Sequence, residues 1–408
     1  MRTRPLTWKL PVVVALAAVW AVAAYFLWES VVPSNLSLPD LDPSRFFSAH
    51  TLSRAADFER FLELSWIGEQ ILLIAVFVAY ARWGTRFMQE SAAGPIGTGI
   101  FLAMMGFALT WFVRLPFQIL NTWWERKYGV LKVGYAEVVL GGWLELGFTF
   151  LSLSIAVAIV MNIARFLPRL WWVAAVPIFV GIALLQTFVG PYLLGGHPLQ
   201  QDDPQLAAAA ERLQRKEGLS GIPVKVLVVH DYTPEENAFT TGVGPSRQVF
   251  VFDTLLHGGL NQRQLETVLA HEFGHQARDH LWKQIGWYAL FAFPEAYLIA
   301  LATRRRGGIS RPEAIPVALL VAVVFTLVTI PLENVVSRHY EAEADWMALR
   351  TTRNPAGLAA TMRHFGRYDL ADPDPPTWAY ILSATHPTLM QRIAMAEAWR
   401  ARNRQKGS

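Results

Sequence analysis

The chain of 408 residues has no cysteine. That excludes disulfide frameworks, thiol nucleophiles and thiolate metal sites together, so any strongly held metal must rest on imidazoles and carboxylates. Charge is scarce as well: Asp, Glu, Lys and Arg make up 17% of the residues, against roughly 25% in an ordinary soluble domain. A soluble enzyme of usual composition is thereby excluded. Basic residues outnumber acidic ones, 36 to 32, but they stand singly or in short runs between apolar stretches. Basic loops beside a membrane account for this pattern, and no nucleic-acid partner is expected. Internal repeats are missing, and the only biased tract is the polar end at 400–408.

What the sequence does have is apolar length. Hydrophobic residues make up 53% of it, 16 of them Trp, and the mean hydropathy is +0.28. A bilayer-crossing helix needs about 20 predominantly apolar residues. Seven stretches meet this, at 10–28, 64–81, 91–113, 146–164, 170–194, 284–303 and 314–332. The second carries Glu69, the fourth begins beside Glu145 and the sixth carries Glu295. Carboxylates at that depth face protein or water rather than lipid, so these helices are expected to line a wet interior. The first stretch follows Arg2, Arg4 and Lys9, in the manner of a signal peptide. Its apolar run exceeds the usual length of about 7–15 residues, and a retained anchor is expected.

The spans divide the chain into 1–199 (spans one to five), a polar segment at 200–282, spans six and seven within 283–335, and a tail at 336–408. The two polar pieces must meet to form one unit outside the lipid. Within the first, a helix is expected over 203–217, ended by Gly218, and strands over 224–229 and 248–252. A further helix starts at Asn261, where Gln264 three residues on completes a capping-box pattern.

That helix carries His271-Glu272-Phe273-Gly274-His275, an HExxH. Residues i and i+4 share a helix face, so both imidazoles can converge on one ion while Glu272 flanks its open side. The arrangement points to a zinc hydrolase holding one Zn²⁺. Gly274 costs about 1 kcal/mol in a helix interior relative to Ala, which indicates a close neighbour. A catalytic zinc takes a third protein ligand. A third His in the metzincin register is ruled out, because those places hold Arg278 and Leu281 and His280 is out of step. After the seventh span, Glu341 and Asp345 stand at i and i+4. One of the two can bind metal while the other accepts the far N–H of a ligating His. Glu343 lies about 200° round the helix from Glu341. Glu272 would act as general base toward water attacking a carbonyl, and His386 and Arg392 in the tail are candidate donors to the oxyanion.

Taken together, these motifs resemble the type I CAAX prenyl endoproteases, membrane metalloproteases of the gluzincin kind, with the HtpX membrane protease as a more distant relative. The likeness extends over nearly the whole chain. It rests on HEFGH, on Asn334-x-x-Ser337-Arg338-x-x-Glu341-x-x-Ala344-Asp345, on His386-Pro387 followed by Arg392, and on Trp124 to Gly129 after the third span. The resemblance implies Glu341 as third ligand, Asp345 as its partner behind a zinc-bound His, and His386 and Arg392 as stabilisers of the intermediate. It also implies that Asn237, Ala238 and Phe239 hold substrate as an added edge strand. The fold implied is mainly α and integral to a membrane: seven transmembrane helices forming a barrel around a chamber, with a small α+β gluzincin-like zinc domain.

The expected activity is a zinc endopeptidase in the bacterial inner membrane or its equivalent, acting on peptide or protein substrates that include lipidated, CAAX-type ones. An HtpX-like quality-control protease is the alternative within the class, and a non-catalytic membrane scaffold or transporter the alternative outside it. The orientation is open. Arg2, Arg4, Lys9, Arg82, Arg86, Arg165, Arg169, Arg304, Arg305, Arg306 and Arg311 fall on one side and fewer basic residues on the other. By the positive-inside rule the zinc domain is then external, whereas the resemblance implies the reverse.

Overall fold

The computed structural model describes residues 9–87, 94–141, 143–368 and 370–405. Helices dominate. The first is α1 (Lys9–Trp28), followed by α2 (Ala49–Trp83), α3 (Gly94–Tyr128), the short α4 (Tyr135–Gly141), α5 (Trp143–Phe166) and α6 (Trp171–Leu193). After strand β1 (His197–Pro198) come α7 (Pro204–Lys216), β2 (Val224–Leu227), β3 (Ala238–Thr241), β4 (Gln248–Phe252) and α8 (Asp253–His257). The chain continues through α9 (Gln262–Ala277), α10 (His280–Thr303), α11 (Ile315–Thr352), α12 (Pro355–Tyr368), α13 (Thr377–Leu382) and α14 (Leu389–Gln405).

Among the described residues, six helices are long and apolar enough to cross a membrane: α2, α3, α5, α6, α10 and α11, with flanking turns. The expected seventh, α1, is a shorter apolar helix in this respect, its described apolar stretch being Ala17–Trp28. Three of the helices overrun the lengths read from the sequence. α2 and α3 have 35 residues and α11 has 38, or about 52 and 57 Å at 1.5 Å per residue, well beyond a hydrocarbon core of about 30 Å. Charged residues such as Glu63 and Arg114 end the apolar run without ending the helix, because the extra turns find protein partners outside the lipid.

The sheet runs β1-β2-β4-β3. β2 lies parallel to β4, with Val226 opposite Val251, and β3 lies antiparallel to β4, with Ala238 opposite Val251. This leaves β3 at an edge. The inner face of the sheet packs Val249 and Val251 against Leu269 and Phe273 of α9 and Ala348 of α11. A second core joins Leu349, Leu358, Met362 and Ile393 to Phe47, which precedes α2. The polar segment and the tail therefore close into one packed body, with α9 and α11 through its middle. The expected helix at 203–217 is α7, capped by the Asp203 carboxylate at 2.8 Å from Leu206 N.

Of the carboxylates expected to face a wet interior, Glu69 accepts from Arg114 Nε at 3.1 Å, bridging α2 and α3. Glu295 lines an apolar cavity of about 260 Å³ between α5, α6, α10 and α11. The Glu145 side chain lies outside the described residues.

Candidate metal centre

α9 starts where the sequence says it should. The Asn261 side chain accepts from Gln264 N while Gln264 Oε1 accepts from Asn261 N, both at 3.1 Å. The helix then lies directly on α11. A Cβ on Gly274 would stand 3.0 Å from Met347 Cβ and 3.3 Å from Ala344 Cα, so the glycine is what allows the two backbones to approach. That approach brings together groups some 70 residues apart in sequence. His271 Nε2 lies 3.1 Å from Glu341 Oε2, His275 Nε2 lies 3.2 Å from His271 Nε2, and His275 Nε2 lies 3.5 Å from Glu341 Oε1.

These spacings suit one tetrahedral ion. Ligand bonds of about 2.0–2.1 Å place neighbouring ligand atoms roughly 3.3 Å apart. Three lone-pair groups turned on one point would repel one another without a cation between them. Behind His271, Asp345 Oδ1 lies 2.9 Å from Nδ1. Asp345 is fully buried and receives both Nε and Nη2 of Arg392 at 2.7 Å. The sequence left Arg392 as a candidate oxyanion donor; in the structure two of its donor groups hold Asp345, while the side chain also lines the cavity described next.

A half-open cavity of about 630 Å³ lies over the metal group, lined among others by His271, Glu272, His386, Arg392, Asn237 and Ala238. Burial pushes the Glu272 carboxyl up from its ordinary value, against the pull of His271 and His275, a shift of the kind that suits a carboxyl to proton transfer. His386 sits on the loop after α13 with its side chain 54% exposed, its Nε2 3.2 Å from Glu341 Oε2. The loop is held from below. Asn334 Nδ2 donates to Leu382 O at 3.0 Å, and Arg338 Nη1 donates to Tyr380 O at 2.9 Å. The motif residues Asn334 and Arg338 thus fasten the His386 loop to the helix that bears Glu341. Of the expected substrate segment, Asn237 and Ala238 face the cavity, whereas Phe239 stacks on Phe250 with centroids 5.3 Å apart.

Two residues beside the metal group were not legible as part of it. His280 is out of register for a ligand, and Glu343 lies on another face of α11. Both are fully buried, joined to each other at 2.9 Å, and His280 touches His275. The one signal in the sequence was a third His five residues after the HExxH, followed by an acid between the two motif acids.

The model of peptidase family M48 matches residues 200–400. A Protease HtpX homolog of Acidiphilium cryptum is 31% identical over 225 residues, covering 50% of this chain and 76% of that protein. The chain belongs to peptidase family M48. This M48 peptidase is also similar to the uncharacterised metalloprotease YhfN of Bacillus subtilis, with 23% identity across 91% of this chain and 93% of that one. A CAAX prenyl protease 1 homolog of Dictyostelium discoideum is 26% identical over 291 residues, covering 66% of this chain and 65% of that protein. The crystal structure of Ste24p from S. mikatae superposes with a TM-score of 0.67 at 18% identity, over 97% of this chain and 100% of that chain, which establishes the shared fold. This M48 peptidase is accordingly a multi-pass integral membrane metalloprotease acting on peptide or protein substrates.

Proposed function

We propose that the chain is a zinc endopeptidase whose ion is held by His271, His275 and Glu341. The observation that carries this reading is the 3.1–3.5 Å spacing of the three ligand groups beneath a cavity that Glu272 also lines. Zinc held there would supply Lewis acidity, polarising a carbonyl and making water acidic near neutral pH. Glu272 takes the proton of the attacking water and hands it to the leaving amine. His386, and Arg392 beyond its hold on Asp345, donate to the oxyanion. The edge of β3 offers backbone groups to an extended substrate, with Asn237 and Ala238 turned into the cavity.

The substrates we infer are membrane-associated proteins or peptides, prenylated ones included. Relatives named for CAAX processing and for HtpX both support this breadth. Cleavage of a farnesylated peptide, its unmodified twin and an unfolded membrane protein separates the two specialities. In the decisive experiment, Glu272→Gln keeps one equivalent of zinc by elemental analysis while peptide cleavage falls by about 10²–10⁴-fold. Undiminished turnover in that variant, or wild type without zinc, would sink the reading.

A further inference from the structure

On the side of His275 away from Glu341, a second imidazole and a second carboxylate stand in line. Asp279 takes a left-handed conformation, φ +55°, and turns the chain from α9 into α10 so that His280, the first residue of α10, folds back beneath His275. The two Nδ1 atoms lie 2.9 Å apart. On its far side His280 Nε2 is 2.9 Å from Glu343 Oε2, and its ring stacks on Tyr340 with centroids 4.5 Å apart. Glu343 is itself fixed. Its Oε1 accepts from Arg278 Nε at 2.7 Å and from Val31 N at 2.8 Å, and Lys283 Nζ stands 3.7 Å from Oε2.

The tautomers follow from this frame. An ionised carboxylate only accepts, so His280 must carry its proton on Nε2, and its bare Nδ1 must accept from His275 Nδ1–H. His275 is then left with a lone pair on Nε2, the atom that faces His271 and Glu341. Asp345 performs the same task for His271 by direct contact. We propose that His280 and Glu343 are positioning residues for the metal centre, a two-membered relay that sets the tautomer and ring angle of His275. Through Val31 N the relay also ties the segment leaving α1 to the site. The inference rests on His275 being a zinc ligand.

The test uses the full chain in detergent, stripped of metal, with zinc affinity read by chelator competition and ligand geometry by the visible spectrum of the Co²⁺ form. His280→Phe keeps a ring on Tyr340 but offers no acceptor. It should bind zinc about 10–100-fold more weakly, the range typical when the partner of a ligating His is lost, and should shift the Co²⁺ bands. His280→Gln, which retains one acceptor and one donor, should recover most of that loss. Glu343→Gln keeps the shape and removes the charge, and should weaken zinc about 10-fold, which covers the case of a His280→Phe chain that does not fold. Wild-type affinity and spectrum in His280→Phe or in Glu343→Gln would overturn the relay, as would equal losses in the Phe and Gln variants of His280. Zinc binding by wild type in the same assay keeps either result separate from failure of the site itself.

Discussion

At the scale of single residues, Asp345 is the most exposed to test. It is fully buried, hydrogen-bonded to His271 and accepting from Nε and Nη2 of Arg392. Removing one partner of a buried ion pair leaves the other charge unpaired, at a cost of about 3–5 kcal/mol. Asp345→Ala should therefore lower the thermal midpoint of the purified protein markedly and weaken zinc about 10–100-fold by chelator competition. A midpoint within 1 °C of wild type would contradict the buried-pair account. Residues of this kind were readable from the sequence where their contacts are local. His271 and His275 share a helix face by spacing alone, with Glu272 on its flank, and Glu341 and Asp345 share another. The His280 and Glu343 pair was not readable, because it depends on one left-handed residue and on three elements meeting, which no spacing encodes.

At the scale of elements, the meeting of α9 and α11 decides whether a metal site exists. Gly274 is where the helices come nearest, with Met347 Cβ and Ala344 Cα within 3.0 and 3.3 Å of the missing Cβ. Gly274→Val would drive them apart while adding a residue only modestly different in helix propensity. The expected outcome is unchanged helicity by circular dichroism with zinc binding weakened at least 10-fold, since the distances that suit a tetrahedral ion are lost. The spans were marked by uncharged apolar length, and α9 by its cap at Asn261. Helix ends were not: α2, α3 and α11 pass through the charged residues that close an apolar run, because what stabilises those turns is packing by residues distant in sequence. The edge position of β3, a property of sheet order, came from the resemblance at residues 237–239 and from no spacing in the sequence.

For the whole molecule, charge is distributed along the bundle axis. Arg82, Arg86, Arg165, Arg169, Arg304, Arg305 and Arg311 are all exposed. They share one end, as shown by Arg306 Nη2 donating to Ala81 O at 2.7 Å and by Ile309 and Ile315 packing with Ala164 and Trp171. The metal group lies at the other end, with His280 and Arg304 separated by the length of α10, about 36 Å. The positive-inside rule predicts the arginine end in the cytoplasm and the metal cavity outside, against the orientation that the resemblance implies. Because the chain has no cysteine, single introduced thiols report this cleanly. A membrane-impermeant maleimide should label Glu211→Cys in intact spheroplasts and Pro168→Cys only after lysis. The opposite pattern would show that fold ancestry outweighs charge in setting orientation.

α11 joins the membrane-crossing part of the chain to the metal group without a break. It is a single helix from Ile315 to Thr352, with no hinge loop between its apolar run, ending near Leu332, and Glu341 nine residues on. At 1.5 Å per residue the ion's carboxylate stands about 14 Å beyond the oily part of the rod. With Glu341 as the proposed zinc ligand, the bond-cutting point would be held at a set height over the apolar part of the helix, as on a surveyor's staff. On the proposed zinc assignment, a tethered substrate would be selected first by how far its scissile bond rises from its anchor, a rule that cleavage of anchored peptides with spacers of graded length would check.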